Sequence, residues 1–215
     1  MKKESVALQK KRTKKIVTEL KKLYPEATCS LEYQTPFQLL IATMLSAQTT
    51  DLMVNRITPT LFHYFGTAEK MAQASLEELE SHLRKIGLFR TKARNCQKTA
   101  QILENQFQGK VPNRLDLLLT FPGVGRKTAN VVLGNAFQIP AMVVDTHVKR
   151  ITYRLGLTSE RNPEKIEKDL EKRVAQKDWI LFTHLIIRHG RALCKAQKPH
   201  CNECILEPLC FKREL

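Results

Sequence analysis

Four of the six cysteines crowd into the last 22 residues as Cys194, Cys201, Cys204 and Cys210, a C-x6-C-x2-C-x5-C run. The basic N-terminus is followed by no apolar leader segment, so a reducing compartment is expected, and there four close thiols are better held as thiolates on a metal than as disulfides. Zinc takes four cysteines tetrahedrally, usually from two C-x2-C pairs, and this run has only one. An iron–sulfur cluster also takes four cysteines and tolerates irregular spacing, so the pattern leans towards iron–sulfur while zinc stays open. The loop Lys195-Ala-Gln-Lys-Pro-His200 lies between the first two cysteines. Pinned by a metal, it would present Lys195 and Lys198 to phosphates; otherwise these lysines only balance the negative thiolates. Cys29 and Cys96 stand alone and are expected to be small buried hydrophobes.

A second constellation lies within Leu117–Leu133, LLLTFPGVGRKTANVVL. An apolar helical run ends, Pro122-Gly123-Val124-Gly125 turns tightly, and a new helix is predicted to begin near Arg126. Glycine permits positive φ, and without a Cβ at Gly123 and Gly125 a phosphate can approach the backbone N–H groups of the first helical turn, which also carries Arg126 and Thr128. The Walker phosphate loop is excluded, because Arg126 stands where that pattern needs glycine and a helix rather than a strand precedes the turn. An ordinary αα-hairpin and a helix–hairpin–helix that grips DNA backbone both remain. Lys127 sits in the first turn, where the helix dipole and Arg126 disfavour its ammonium form and favour a nucleophilic amine. Asp145, in Val143-Val-Asp-Thr-His147, precedes another helix. It suits an N-cap, and a capping carboxylate is also ionised and fixed, ready to stabilise a developing positive charge.

The elements that must position these groups are helical. Phe37, Leu40, Ile41, Met44 and Leu45 fall at i, i+3, i+4, i+7 and i+8 after Thr35 as N-cap and Pro36 at the first position. Similar stripes run through Ala93–Phe107, Val148–Leu155 and Ile166–Val174, and another begins at Trp179. No hairpin signal or alternating strand run appears, so the expected fold is all-α with about ten short helices. No apolar run approaches the roughly 18 residues of a membrane span. The formal net charge is +15, and residues 1–22 alone carry +7, which points to a polyanion, nucleic acid first.

Taken together, Leu45-Ser-Ala-Gln-Thr-Thr-Asp51, Ile86-Gly-Leu88, the hairpin Pro122–Leu133, Val144-Asp-Thr-His147 and the cysteine tail closely resemble the endonuclease III family of DNA glycosylases. The resemblance covers nearly the whole chain from about residue 8. Phe121 departs from the common Leu, and the N-terminus is longer and more basic than the family pattern. The resemblance implies a two-lobed helix–hairpin–helix glycosylase fold with the active site between the lobes. One lobe is a six-helix domain over 29–139; the other, an iron–sulfur cluster domain, joins 1–28 to 140–215. It further implies a [4Fe–4S] cluster on Cys194, Cys201, Cys204 and Cys210, Lys127 as nucleophile and Asp145 as catalytic carboxylate. Gln48 and Leu88 match positions that enter the space left by an extruded nucleotide. The implied partner is double-stranded DNA with damaged pyrimidines or abasic sites, met by a cytoplasmic monomer, nucleoid-associated in a bacterium and without membrane contact.

Three other readings compete. An adenine-mismatch glycosylase shares the fold and cysteine spacing, but such enzymes lack the lysine at position 127 and carry a further C-terminal domain. A metal-stabilised DNA-binding module without activity leaves the presence of both Lys127 and Asp145 to chance. A ferredoxin needs neither the hairpin nor the charge.

Overall fold

The computed structural model describes residues 4–213 of the chain. Among them the elements are α1 (Val6–Leu23), α2 (Pro36–Leu45), α3 (Asp51–Phe65), α4 (Ala68–Gln73), α5 (Leu76–Leu83), α6 (Phe89–Phe107), α7 (Leu115–Leu118), α8 (Arg126–Phe137), α9 (Thr146–Arg154), α10 (Pro163–Glu171) and α11 (Trp179–Ala192), with short 3₁₀ turns and no strand. The all-α reading holds. The helices form where local chemistry dictates. The Thr35 hydroxyl accepts from the Gln38 N–H at 3.2 Å, and Pro36 opens α2 where no donor is needed. At α5, Ser75 and Glu78 close a reciprocal capping box.

The chain divides into two compact units, one of Met1–Thr28 with Pro140–Leu215 and the other of Cys29–Ile139. In the unit Cys29–Ile139, α2 is apolar on nearly every side and buried from Leu39 through Leu45, as a helix without a polar face must be. It contacts α3, α6 and α8; α4 and α5 pack on α6, and α7 packs on α8. Seven helical segments stand here where six were expected, because Leu115–Leu118 makes a separate single turn before the glycine hairpin.

In the other unit, α1, α9, α10 and α11 bury a common core that includes Ile16, Leu20, Val148, Ile151, Leu170 and Phe182. Arg12 ties the chain's beginning to its end. Its guanidinium pairs with Glu4 at 2.9 Å and donates to the carbonyls of Leu155 at 2.7 Å, Gly156 at 3.1 Å and Leu209 at 3.1 Å. Gly190 lets α11 and α9 approach closely, since a Cβ there would lie 2.6 Å from Ile151 Cδ1 and 2.9 Å from His147 Cδ2. Phe182→Ala should cost about 3–5 kcal/mol, read as a lower urea midpoint, because nothing near this wholly buried ring can fill the space it leaves.

Candidate functional site

The hairpin is built from its anchors. Phe121 and Val124 are buried, the Val124 N–H closes on the Phe121 carbonyl at 3.1 Å, and the Phe121 ring stands edge-on to Phe107. Between them Gly123 takes φ +79°, the left-handed region, and a Cβ there would meet Asn95 Nδ2 at 2.7 Å. Gly125 is the N-cap of α8 in an extended conformation, with no side chain to close the helix, and a Cβ on it would meet nothing within 4 Å. The backbone therefore favours glycine at 123, whereas at 125 its value is an unobstructed approach to the helix end. Ala129, Asn130, Val132 and Leu133 hold α8 inward while Lys127 is exposed and Arg126 and Thr128 are half-buried. The positive end of a helix and the cations in its first turn give this surface the electrostatics that suit an anion, with an amine in the same turn.

Gln48 and Leu88 lie in the same unit, Cys29–Ile139. Both adopt left-handed backbone, with φ 55° and 58°, and Leu88 is 59% exposed.

Asp145 belongs to the other unit and caps α9 as expected. One carboxylate oxygen accepts from the Val148 N–H at 2.8 Å, the other lies 3.3 Å from His147 Nδ1, and the side chain is 13% exposed. Two fixed partners hold the carboxylate in one orientation. His147 was not singled out from the sequence, although its place two residues after an N-cap is the available signal.

All four clustered cysteines line one open hollow, with Ile151, Leu155 and Leu193 among its walls. Burial pushes the Cys204 and Cys210 thiols up, and neighbouring cysteines raise them further, so a cation is needed to hold the set as thiolates. Among the described residues no group of three or more His, Cys, Asp or Glu side chains is placed to hold a metal ion. His189 is buried, which pushes its pKa down to about 4. Its Nδ1 lies 3.2 Å from the Tyr24 hydroxyl and its Nε2 3.6 Å from Cys204 Sγ. The basic loop is pinned by α9: Arg154 donates to the Lys195 carbonyl at 2.7 Å, the Ala196 carbonyl at 2.9 Å and Cys194 Sγ at 3.5 Å. Arg150 donates to the Cys194 carbonyl at 3.0 Å. Within this loop Lys198 takes φ 49°. Arg150 and Arg154 were missed from the sequence, and their i, i+4 spacing on α9 was the one local hint. Cys96 is buried, with its thiol pushed up to about 12, but Cys29 is only half-buried, because it lies at the loop that starts its unit.

Residues 41–176 match the HhH-GPD superfamily base excision DNA repair protein family. The chain is 53% identical to endonuclease III of Synechocystis sp., over 95% of this chain and 94% of that one. It is 45% identical to endonuclease III of Bacillus subtilis, over 87% and 86%. Among solved structures, a non-covalent endonuclease III–DNA complex matches with a TM-score of 0.90 at 44% identity, over 94% of this chain and 95% of that one. A trapped endonuclease III–DNA covalent intermediate matches with a TM-score of 0.90 at 44% identity, over 94% and 96%.

The two hairpin glycines should separate in a stability measurement. Gly123→Ala is expected to lose about 1–2 kcal/mol from its left-handed backbone and the Asn95 contact, while Gly125→Ala keeps the wild-type urea midpoint.

Proposed function

The chain belongs to the endonuclease III family within the HhH-GPD superfamily of base excision DNA repair proteins, and from that premise we propose how its own residues carry the reaction. It is a DNA glycosylase and AP lyase of base excision repair. The substrate is duplex DNA carrying an oxidised pyrimidine or an abasic site. The hairpin end at Gly123 and Gly125, with Arg126 and Thr128, grips a phosphate, and Lys195 and Lys198 on the cysteine loop contact others. Flipping the damaged nucleotide costs a few kcal/mol, least where pairing is already weak, and Gln48 and Leu88 enter the vacated space.

Lys127, as the free amine, attacks the anomeric carbon of the sugar. The glycosidic bond breaks, the base leaves with the bonding pair, and ring opening gives a Schiff base between lysine and sugar. Loss of a C2′ proton then expels the 3′ phosphate by β-elimination. Asp145, ionised and held by Val148 N–H, stabilises the positive charge that develops on the sugar. The observation that carries this reading is the exposed Lys127 in the first turn of a helix end that no side chain caps. A covalent DNA intermediate in a 44% identical neighbour supports it.

Cys194, Cys201, Cys204 and Cys210 would hold a [4Fe–4S] cluster, making the unit of Met1–Thr28 and Pro140–Leu215 a cluster domain. Tetrahedral zinc would draw all four sulfurs to about 2.3 Å from a single point. Four free thiols line one hollow, and a run with a single C-x2-C pair suits an iron–sulfur cluster better than zinc. Bound there, the cluster supplies a four-point covalent cross-link. The protein works as a monomer in the cytoplasm, where thiols stay reduced. Among the described residues no helix is long and apolar enough to cross a membrane.

Two experiments test this. Borohydride should trap wild-type protein on abasic DNA, and Lys127→Ala should give no adduct; an undiminished adduct assigns the nucleophile elsewhere. Purified protein should be brown with about four irons per chain, lost together in Cys204→Ala. One equivalent of zinc without iron would replace the cluster with a single metal.

A further inference from the structure

Left-handed backbone at a residue other than glycine costs about 1 kcal/mol and persists only where its surroundings impose it. Gln48 and Leu88 are two such residues, forty positions apart in sequence, and one residue links their neighbourhoods, by its backbone at Leu88 and by its side chain beside Gln48. Lys92 stands one turn into α6, and its backbone N–H donates to the Leu88 carbonyl at 3.0 Å. Its ammonium donates to the hydroxyl of Thr49, the residue after Gln48, at 2.7 Å. Lys92 is 6% exposed, and among the described residues Thr49 is its one side-chain hydrogen-bond partner. A buried ammonium with so little compensation is costly, and methionine would fill the same volume without that cost. The position is thus poorly explained by packing alone.

We propose that Lys92 is a positioning residue, a strut that fixes Gln48 and Leu88 relative to one another so that they enter the duplex as one wedge. This rests on reading those two residues as the ones that replace the extruded nucleotide. With the strut in place, the ordering of two loops is completed before DNA arrives, so extrusion of a paired base meets a rigid wedge. Without it, each residue is free to relax from its strained backbone.

The test compares two substrates under single-turnover conditions, using the cluster-loaded protein. Lys92→Met should slow excision of a paired oxidised pyrimidine at least about tenfold, while cleavage at a preformed abasic site, where no base pair need be broken, changes less than about threefold. Thr49→Val should show the same selective loss, and Thr49→Ser, which keeps the hydroxyl, should restore wild-type rates. 2-Aminopurine beside the lesion should report slower extrusion in Lys92→Met. Equal losses on both substrates, or unchanged rates in both Lys92→Met and Thr49→Val, would overturn the proposal. Gln48→Ala and Leu88→Ala are the controls. If neither slows excision, the wedge reading itself has failed; if they slow it and the Lys92 and Thr49 variants do not, only the strut has.

Discussion

Every α-helix begins with backbone N–H groups that have no partner within the helix. This chain meets that demand differently from one helix to the next. Ser5, Thr35, Thr50, Thr67, Ser75 and Asn162 close their helices with a side chain in the ordinary way. Four helices, α6, α7, α8 and α11, start without a side-chain cap, and α9 is closed by a carboxylate. At α8 the cap is Gly125 and the first turn is left open beside Lys127, so an anion can complete the helix. At α9 the cap is Asp145, and the bond that closes the helix also holds the carboxylate in place. A glycine cap and a carboxylate cap are two answers to one rule of helix termination.

The same logic divides the basic excess. Arg12 and Arg154 spend their donors on backbone carbonyls of the chain, closing segments that carry no regular hydrogen bonding of their own. These arginines hold loops in place, and a planar fork of donors suits that task. The lysines of the first helix behave differently: Lys10, Lys11, Lys14 and Lys15 are exposed. The +15 charge is therefore not one undivided field for a polyanion, since part of it is mortar within the fold and the lysines supply the outward-facing share.

Much of this was readable in local sequence. Thr35-Pro36 with its apolar stripe, Gly125 before Arg126, and Asp145 before Thr146 each specify a helix start within four residues, so a single sequence suffices. The four cysteines were visible by spacing alone. What escaped was contact between distant segments. Tyr24 meets His189 across 165 positions, and Arg12 meets Leu209 across 197. No periodicity encodes such pairs; the first follows from packing α1 against α11, and the second from a turn beyond α11 folding back to α1. Gly190 escaped for a related reason, because a glycine within a helical pattern signals close approach only once the approaching helix is known. Cys29 was misjudged as buried because its isolation said nothing of a loop edge.

Backbone strain is distributed in a way that supports the same division of labour. Among the described residues, six other than glycine have positive φ: Gln48, Leu88, Gln108, Gln138, Lys198 and Lys212. Gln108 and Gln138 are C-caps of α6 and α8, where left-handed geometry is the usual way to end a helix. Gln48 and Leu88 have no such excuse, since one follows the end of α2 and the other starts α6. Lys198 lies in a loop whose neighbouring carbonyls are held by Arg154. Strain of this kind relaxes unless something opposes it, and here the opposing groups are buried cations, Lys92 for the first pair and Arg154 for the loop. Burying a cation to hold a strained backbone lowers stability on both counts. Stability alone gives no reason for that combination; the wedge proposed for Gln48 and Leu88 would supply one.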